Sequence, residues 1–129
     1  MHAARWVMLA SVLAAGPAFA AVTPAQFPPQ TVGDLLALCT AGKDDPMMTA
    51  AVNFCGGYVE GAVTVQEAHM AHQRRHRLFC ISEPRPSHDQ ALAAFTTWVH
   101  ADPTRMNRPA LDGLFEFLAE TYPCTLGTQ

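Results

Sequence analysis

Apolar positions after residue 30 recur at steps of three and four, the spacing of one helical face, and no stretch alternates as a half-buried strand would. The first run holds Val32, Leu35, Leu36 and Cys39. Thr31 stands before it as a cap, and Asp34 sits where a carboxylate reaches the free N–H groups of the first turn. Gly42 and the stretch K-D-D-P end this helix. A longer run starts near Pro46 to Met48 and continues to Gln73, with Met48, Ala51, Cys55, Tyr58, Ala62 and Val65 on one face. Gly57 and Gly61, four apart, look out from one side of it, with Gly56 beside them. A glycine face predicts close approach of another helix or loop. Residues 74–87 read as a connection rich in Arg, Pro and Ser. A third helix follows Ser87, with Gln90 completing a capping box and Leu92, Phe95, Thr96 and Val99 facing inward beside Trp98. Asp102-Pro103 stops it. The fourth helix follows Asn107 and admits Pro109 in its first turn. Its core stripe reads Leu111, Leu114, Phe115 and Leu118, and Pro123 ends it just before Cys124. The fold class is all-α, a small four-helix domain of two helical hairpins.

The first twenty residues change the picture. Arg5 precedes an apolar run from Trp6 to Phe19, too short for the roughly 20 residues that cross a bilayer. Gly16 and Pro17 then lead into A-F-A, the small-residue pattern of a cleavage site. Residues 1–20 therefore read as a secretory signal peptide, cut between Ala20 and Ala21. Residues 21–30, with three prolines and no period, read as an extended, mobile lead-in. Residues 31–124 form the domain and 125–129 a short tail. Without Arg5, seven basic residues face eleven acidic ones, a net charge of −4. An acidic domain is a poor general partner for nucleic acid. No second apolar run is long enough for a membrane span, so no membrane association is expected after cleavage.

All four cysteines, Cys39, Cys55, Cys80 and Cys124, lie beyond the cut. Export to an oxidising compartment and an even count favour two disulfides over zinc, which needs closer cysteine pairs. Antiparallel hairpins bring Cys39 near Cys55 and Cys80 near Cys124. Four cysteines allow three pairings, so the sequence leaves the connectivity open.

Candidate chemistry is sparse. His69, His72 and His76 share a helical face and are the weak alternative for a metal site, since three imidazoles can hold Zn²⁺ or Cu²⁺. The favoured reading is a cationic helix end that suits the helix dipole, with no metal and no cofactor. A Cys80 nucleophile with His76 as base would need a free thiol, which the compartment opposes. Glu60 and Glu67 read as a solvated face. There is no phosphate loop and no G-x-S-x-G, so no enzyme is expected. Arg74, Arg75, His76 and Arg77 form the one basic segment, suited to an acidic partner surface.

Four segments taken in order, T-V-G-D-L-L-A-L-C (31–39), C-G-G-Y-V-E-G (55–61), C-I-S-E-P (80–84) and W-V-H-A-D-P through A-L-D-G-L-F-E-F-L-A-E-T-Y-P-C (98–124), resemble the Rap/Tai family of type VI secretion immunity proteins. Gly56 departs from the family's usual arginine, and S-E-P replaces a proline directly after C-I. The resemblance implies a periplasmic helical protein that binds and blocks a peptidoglycan amidase toxin, and it gives Gly57, Tyr58, Gly61 and Pro123 a structural role. A homodimer remains open as an assembly. The rival expectations are a periplasmic stress chaperone and a metal-binding helical protein.

Overall fold

The computed structural model describes residues 20–73 and 77–124; the expected signal sequence before Ala20 and the tail at 125–129 lie outside them. The described chain holds four α-helices, α1 (Val32–Cys39), α2 (Met48–Gln73), α3 (His88–Ala101) and α4 (Ala110–Thr121). One 3₁₀ turn, Pro24–Gln26, precedes α1, and another, Pro103–Asn107, joins α3 to α4. No strand forms among the described residues, and the only bridge is the isolated pair Thr31 and Pro109. The all-α class and both disulfides, Cys39–Cys55 and Cys80–Cys124, are as expected.

The short α1 is the centre of the domain. Eight residues make too few internal hydrogen bonds for an isolated helix to persist in water. A full capping box starts it: the Asp34 N–H donates to Thr31 Oγ1 at 3.1 Å, and the Thr31 N–H donates to the Asp34 carboxylate at 3.0 Å. Enclosure stabilises the rest. Val32, Leu35 and Leu38 have no exposed surface, and Leu36 and Cys39 are buried beside them. A helix buried on nearly every side needs neighbours all round. It has them in α2, in α4, in α3 and in the 3₁₀ turn at Pro103–Asn107.

The starts of α1 and α4 are laced together. The Val32 N–H donates to the Arg108 carbonyl at 2.9 Å, and the Ala110 N–H donates to the Gln30 carbonyl at 3.0 Å. This pairing sets how α4 is rotated. Ala110, Gly113, Leu114, Phe117 and Leu118 turn inward, while Leu111, expected in the core stripe, is 43 % exposed and Phe115 is only partly covered. Phe117 takes the central place. It meets Phe95 edge-on at 5.2 Å and Tyr122 at 6.2 Å, joining α3 to α4. Trp98 completes the cluster; its indole N–H donates to Glu120 at 2.6 Å, and the Arg105 guanidinium lies 4.0 Å over its ring.

Two further expectations give way. The lead-in is packed in place: Val22 is buried, its N–H donates to Asp45 at 2.7 Å, and Phe27 sets its ring edge-on to Phe54 at 5.3 Å. Proline-rich chain needs no regular structure to be held when its apolar side chains find the core. On α2 the buried stripe is Ala51, Cys55 and Val63, with Val59 partly covered, and Val65 is 69 % exposed. Val63 and Val65 point roughly 200° apart around the helix, so only one can face inward. Val63 is the one that does, lining the space between α2 and the later helices.

The glycines follow the same logic. Nothing lies within 4 Å of a Cβ built on Gly56, Gly57 or Gly61, so the expected close approach is absent. It occurs instead at Gly113, where a Cβ would collide with Cγ2 of the fully buried Val32. Val32 is β-branched and stiff, and it cannot turn aside. Gly113→Ala is expected to lower stability by about 1–2 kcal/mol, overpacking exceeding the gain in helix propensity. Gly57→Ala should raise it by up to about 1 kcal/mol. Denaturant midpoints of the two variants check this, and shifts of the same sign would refute it.

Candidate functional site

Because α1 ends at Cys39, α2 runs on past the Cys39–Cys55 disulfide without a helix to follow it. The space left between α2 and the α3–α4 pair is a cleft of about 220 Å³. Cys55, Val59 and Val63 of α2 form one wall, with Gly56 and Glu60 at its edge. Ala91, Leu92 and Phe95 of α3 form the opposite wall. Leu114, Phe117 and Leu118 of α4 make the floor. Ile81, Arg85 and Pro86, from the connection before α3, cover one end, and His88 stands at the mouth. Nearly all of these side chains are apolar; charge is confined to Glu60, Arg85 and His88.

The covering connection is pinned along its length. Phe79 is buried and stacks on Phe115 at 6.3 Å. The Cys80 N–H donates to the Tyr122 carbonyl at 2.8 Å, and the Cys80 side chain is bonded to Cys124. Arg85 reaches across to Glu67 on α2 at 3.4 Å and to Glu83 at 3.6 Å. Ser87 then caps α3, accepting from the Gln90 N–H at 3.2 Å while its own N–H donates to the Gln90 side chain at 2.9 Å. Glu67, read from sequence as a solvated face, is thus half of the tie that holds the connection over the cleft.

Of the residues singled out by sequence, Arg77 is exposed and precedes the half-exposed Leu78. Arg74, Arg75 and His76 lie outside the described residues. His69 and His72 are exposed on the last turns of α2, and among the described residues no three His, Cys, Asp or Glu side chains are grouped to hold a metal ion. Gly57 and Gly61 are exposed on α2, and Pro123 is exposed next to the Tyr122 C-cap. Tyr58 is half-buried and stacks on Phe54 at 6.3 Å. Burial, and secondarily the Asp112 carboxylate, push the Tyr58 hydroxyl above its ordinary 10.0. The cleft was missed from sequence. Its signal was the second face of α2, Ala51, Cys55, Val59 and Val63 at steps of four, which the choice of Tyr58 and Val65 passed over.

The domain is small, all-helical and stapled, with an apolar recess under a pinned connection. The chain belongs to the Rap1a immunity protein family: the family model matches residues 31–124, the same span over which the motif order resembled the Rap/Tai proteins. No curated protein and no solved structure matches it. Two disulfides and an immunity family are consistent with an exported protein, and among the described residues no helix is long and apolar enough to cross a membrane.

Two outcomes follow from this geometry. The Cys80–Cys124 bond closes a separation of 44 residues and Cys39–Cys55 one of 16. Replacing each pair by alanine is expected to cost about 4 and about 3 kcal/mol respectively, if unfolded-chain entropy dominates. Loss of Cys80–Cys124 should also unprotect the amide at position 80, which donates to the Tyr122 carbonyl, in hydrogen exchange; unchanged protection there would show that the other fixings hold the connection without the disulfide. Because the Tyr58 pKa is raised, its contribution to stability is complete below about pH 10 and is lost as pH rises through the folded-state value. Asp112→Asn should move that value back toward 10.0, as read by ultraviolet difference titration in a Tyr122→Phe background.

Proposed function

We propose that this protein is a periplasmic inhibitor of a peptidoglycan amidase toxin delivered by type VI secretion, and that it docks on the enzyme and occludes its active site. The observation that carries the reading is the family match over residues 31–124. The fold supports it. Two disulfides suit the oxidising compartment in which such an enzyme meets its substrate. A core built around the enclosed α1 keeps the domain rigid, and rigid partners lose little on association. The contact surface in this reading is the connection before α3, with Arg77 at its start and the basic residues Arg74, Arg75 and His76 preceding it. Charge there steers a partner of opposite sign and fixes its orientation. The protein acts by binding; no side chain is assigned to chemistry.

The test is survival. Cells exporting this chain should withstand periplasmic expression of the amidase encoded beside it, and a form kept in the cytoplasm should not protect. The two proteins should co-purify from the periplasm, and Arg77→Glu should slow their association several-fold in low salt. Failure to protect against any neighbouring amidase, with the exported chain present and oxidised, would overturn the proposal.

A further inference from the structure

The cleft between α2 and the α3–α4 pair is not needed to cover an enzyme's active site with a loop, and its form points to a separate task. We infer that it is an anchor pocket: it receives one large apolar side chain, aromatic or aliphatic, presented by a basic segment of the toxin. The identity of the partner rests on the immunity reading; the chemistry of the occupant rests on the pocket.

Size comes first. About 220 Å³ falls below the roughly 300–1,000 Å³ typical of small-molecule sites but suits a single side chain. The walls are apolar, and protein interfaces draw most of their affinity from a few such side chains seated in desolvated pockets. The pocket is also preformed. Cys39–Cys55 fixes one wall, the Phe95–Phe117 contact fixes the floor against the other, and Cys80–Cys124 holds the cover. An anchor entering it orders nothing further.

Charge then selects the occupant. Glu60 sits at the mouth with no ion-pair partner among the described residues. The guanidinium that lines the cleft among the described residues, Arg85, is shared between Glu67 and Glu83. With the Arg85 charge offset by its two partners, the Glu60 carboxylate is left to attract Lys or Arg flanking the anchor. The rival occupant is a second copy of this chain, whose exposed Leu78 follows Arg77.

The exported, oxidised protein labelled with ¹⁵N is titrated with two blocked tripeptides, Lys-Trp-Lys and Glu-Trp-Glu. The lysine peptide is expected to shift the amides of Gly56, Val59, Ala91 and Leu118 saturably, and the glutamate peptide to bind at least about five-fold more weakly. Gly56→Leu fills the pocket from a position where an added Cβ meets nothing, so it should abolish binding without lowering Tm. Ala91→Leu fills it from the opposite wall and should do the same. Glu60→Gln should narrow the preference for the lysine peptide. Equal binding of both peptides, shifts outside the cleft, or binding that survives both filled variants overturns the inference. So does a concentration-dependent dimer that Gly56→Leu dissociates, because the pocket is then occupied by a second copy. Survival assays separate the two proposals. A Gly56→Leu variant that folds, loses peptide binding and still protects refutes the anchor pocket alone. A wild type that binds the lysine peptide but protects against no amidase refutes the immunity reading alone.

Discussion

The enclosure of α1 is the constraint on which the rest depends. An eight-residue helix cannot hold itself together, so its neighbours must exclude water from nearly every side of it. That requirement places α2 on one side and α4, with the turn at Pro103–Asn107, on the other. It fixes the rotation of α4 through the exchanged backbone bonds at Val32 and Ala110. It also demands a residue without a side chain at Gly113, because Val32 occupies the space a Cβ would need. Because the spacer is short, it runs out at Cys39, and the longer helices beyond it cannot close on one another. The cleft is the geometrical remainder of that mismatch in length.

Elements and their ends were readable in the chain because they are set locally. Thr31 with Asp34 and Ser87 with Gln90 announce helix starts through hydrogen bonds that span three residues. Hairpin geometry favoured the cysteine pairing once the helices were placed, and the structure decides it among the three possible. Facing was less readable. Leu111 and Phe117 belong to the same amphipathic helix, and which of them is central depends on the pairing of residues 30–32 with 108–110, far apart in sequence. Val63 and Val65 pose the same ambiguity, resolved by which side of α2 meets the later helices rather than by periodicity. The glycines were misread for a related reason. A glycine-rich face is compatible with close packing but does not cause it, and the glycine that the core requires stands alone in α4.

The site divides along the same line. The basic cluster is a property of composition and could be found by reading. The cleft is a property of how three helices and a connection converge, and its apolar lining looks in sequence like any other core. Only its few charged members differ from a core, and Glu60 is separated by a long stretch of chain from Arg85 and His88.

The connection before α3 is secured at both ends by groups that face inward or along the backbone: Phe79, Cys80 and the Ser87 cap. Ser82, between these fixings, is exposed. Substitutions at such positions leave folding almost untouched while altering the outline and polarity of the surface. The outline of this surface can therefore change by small steps without first requiring compensating changes in the interior.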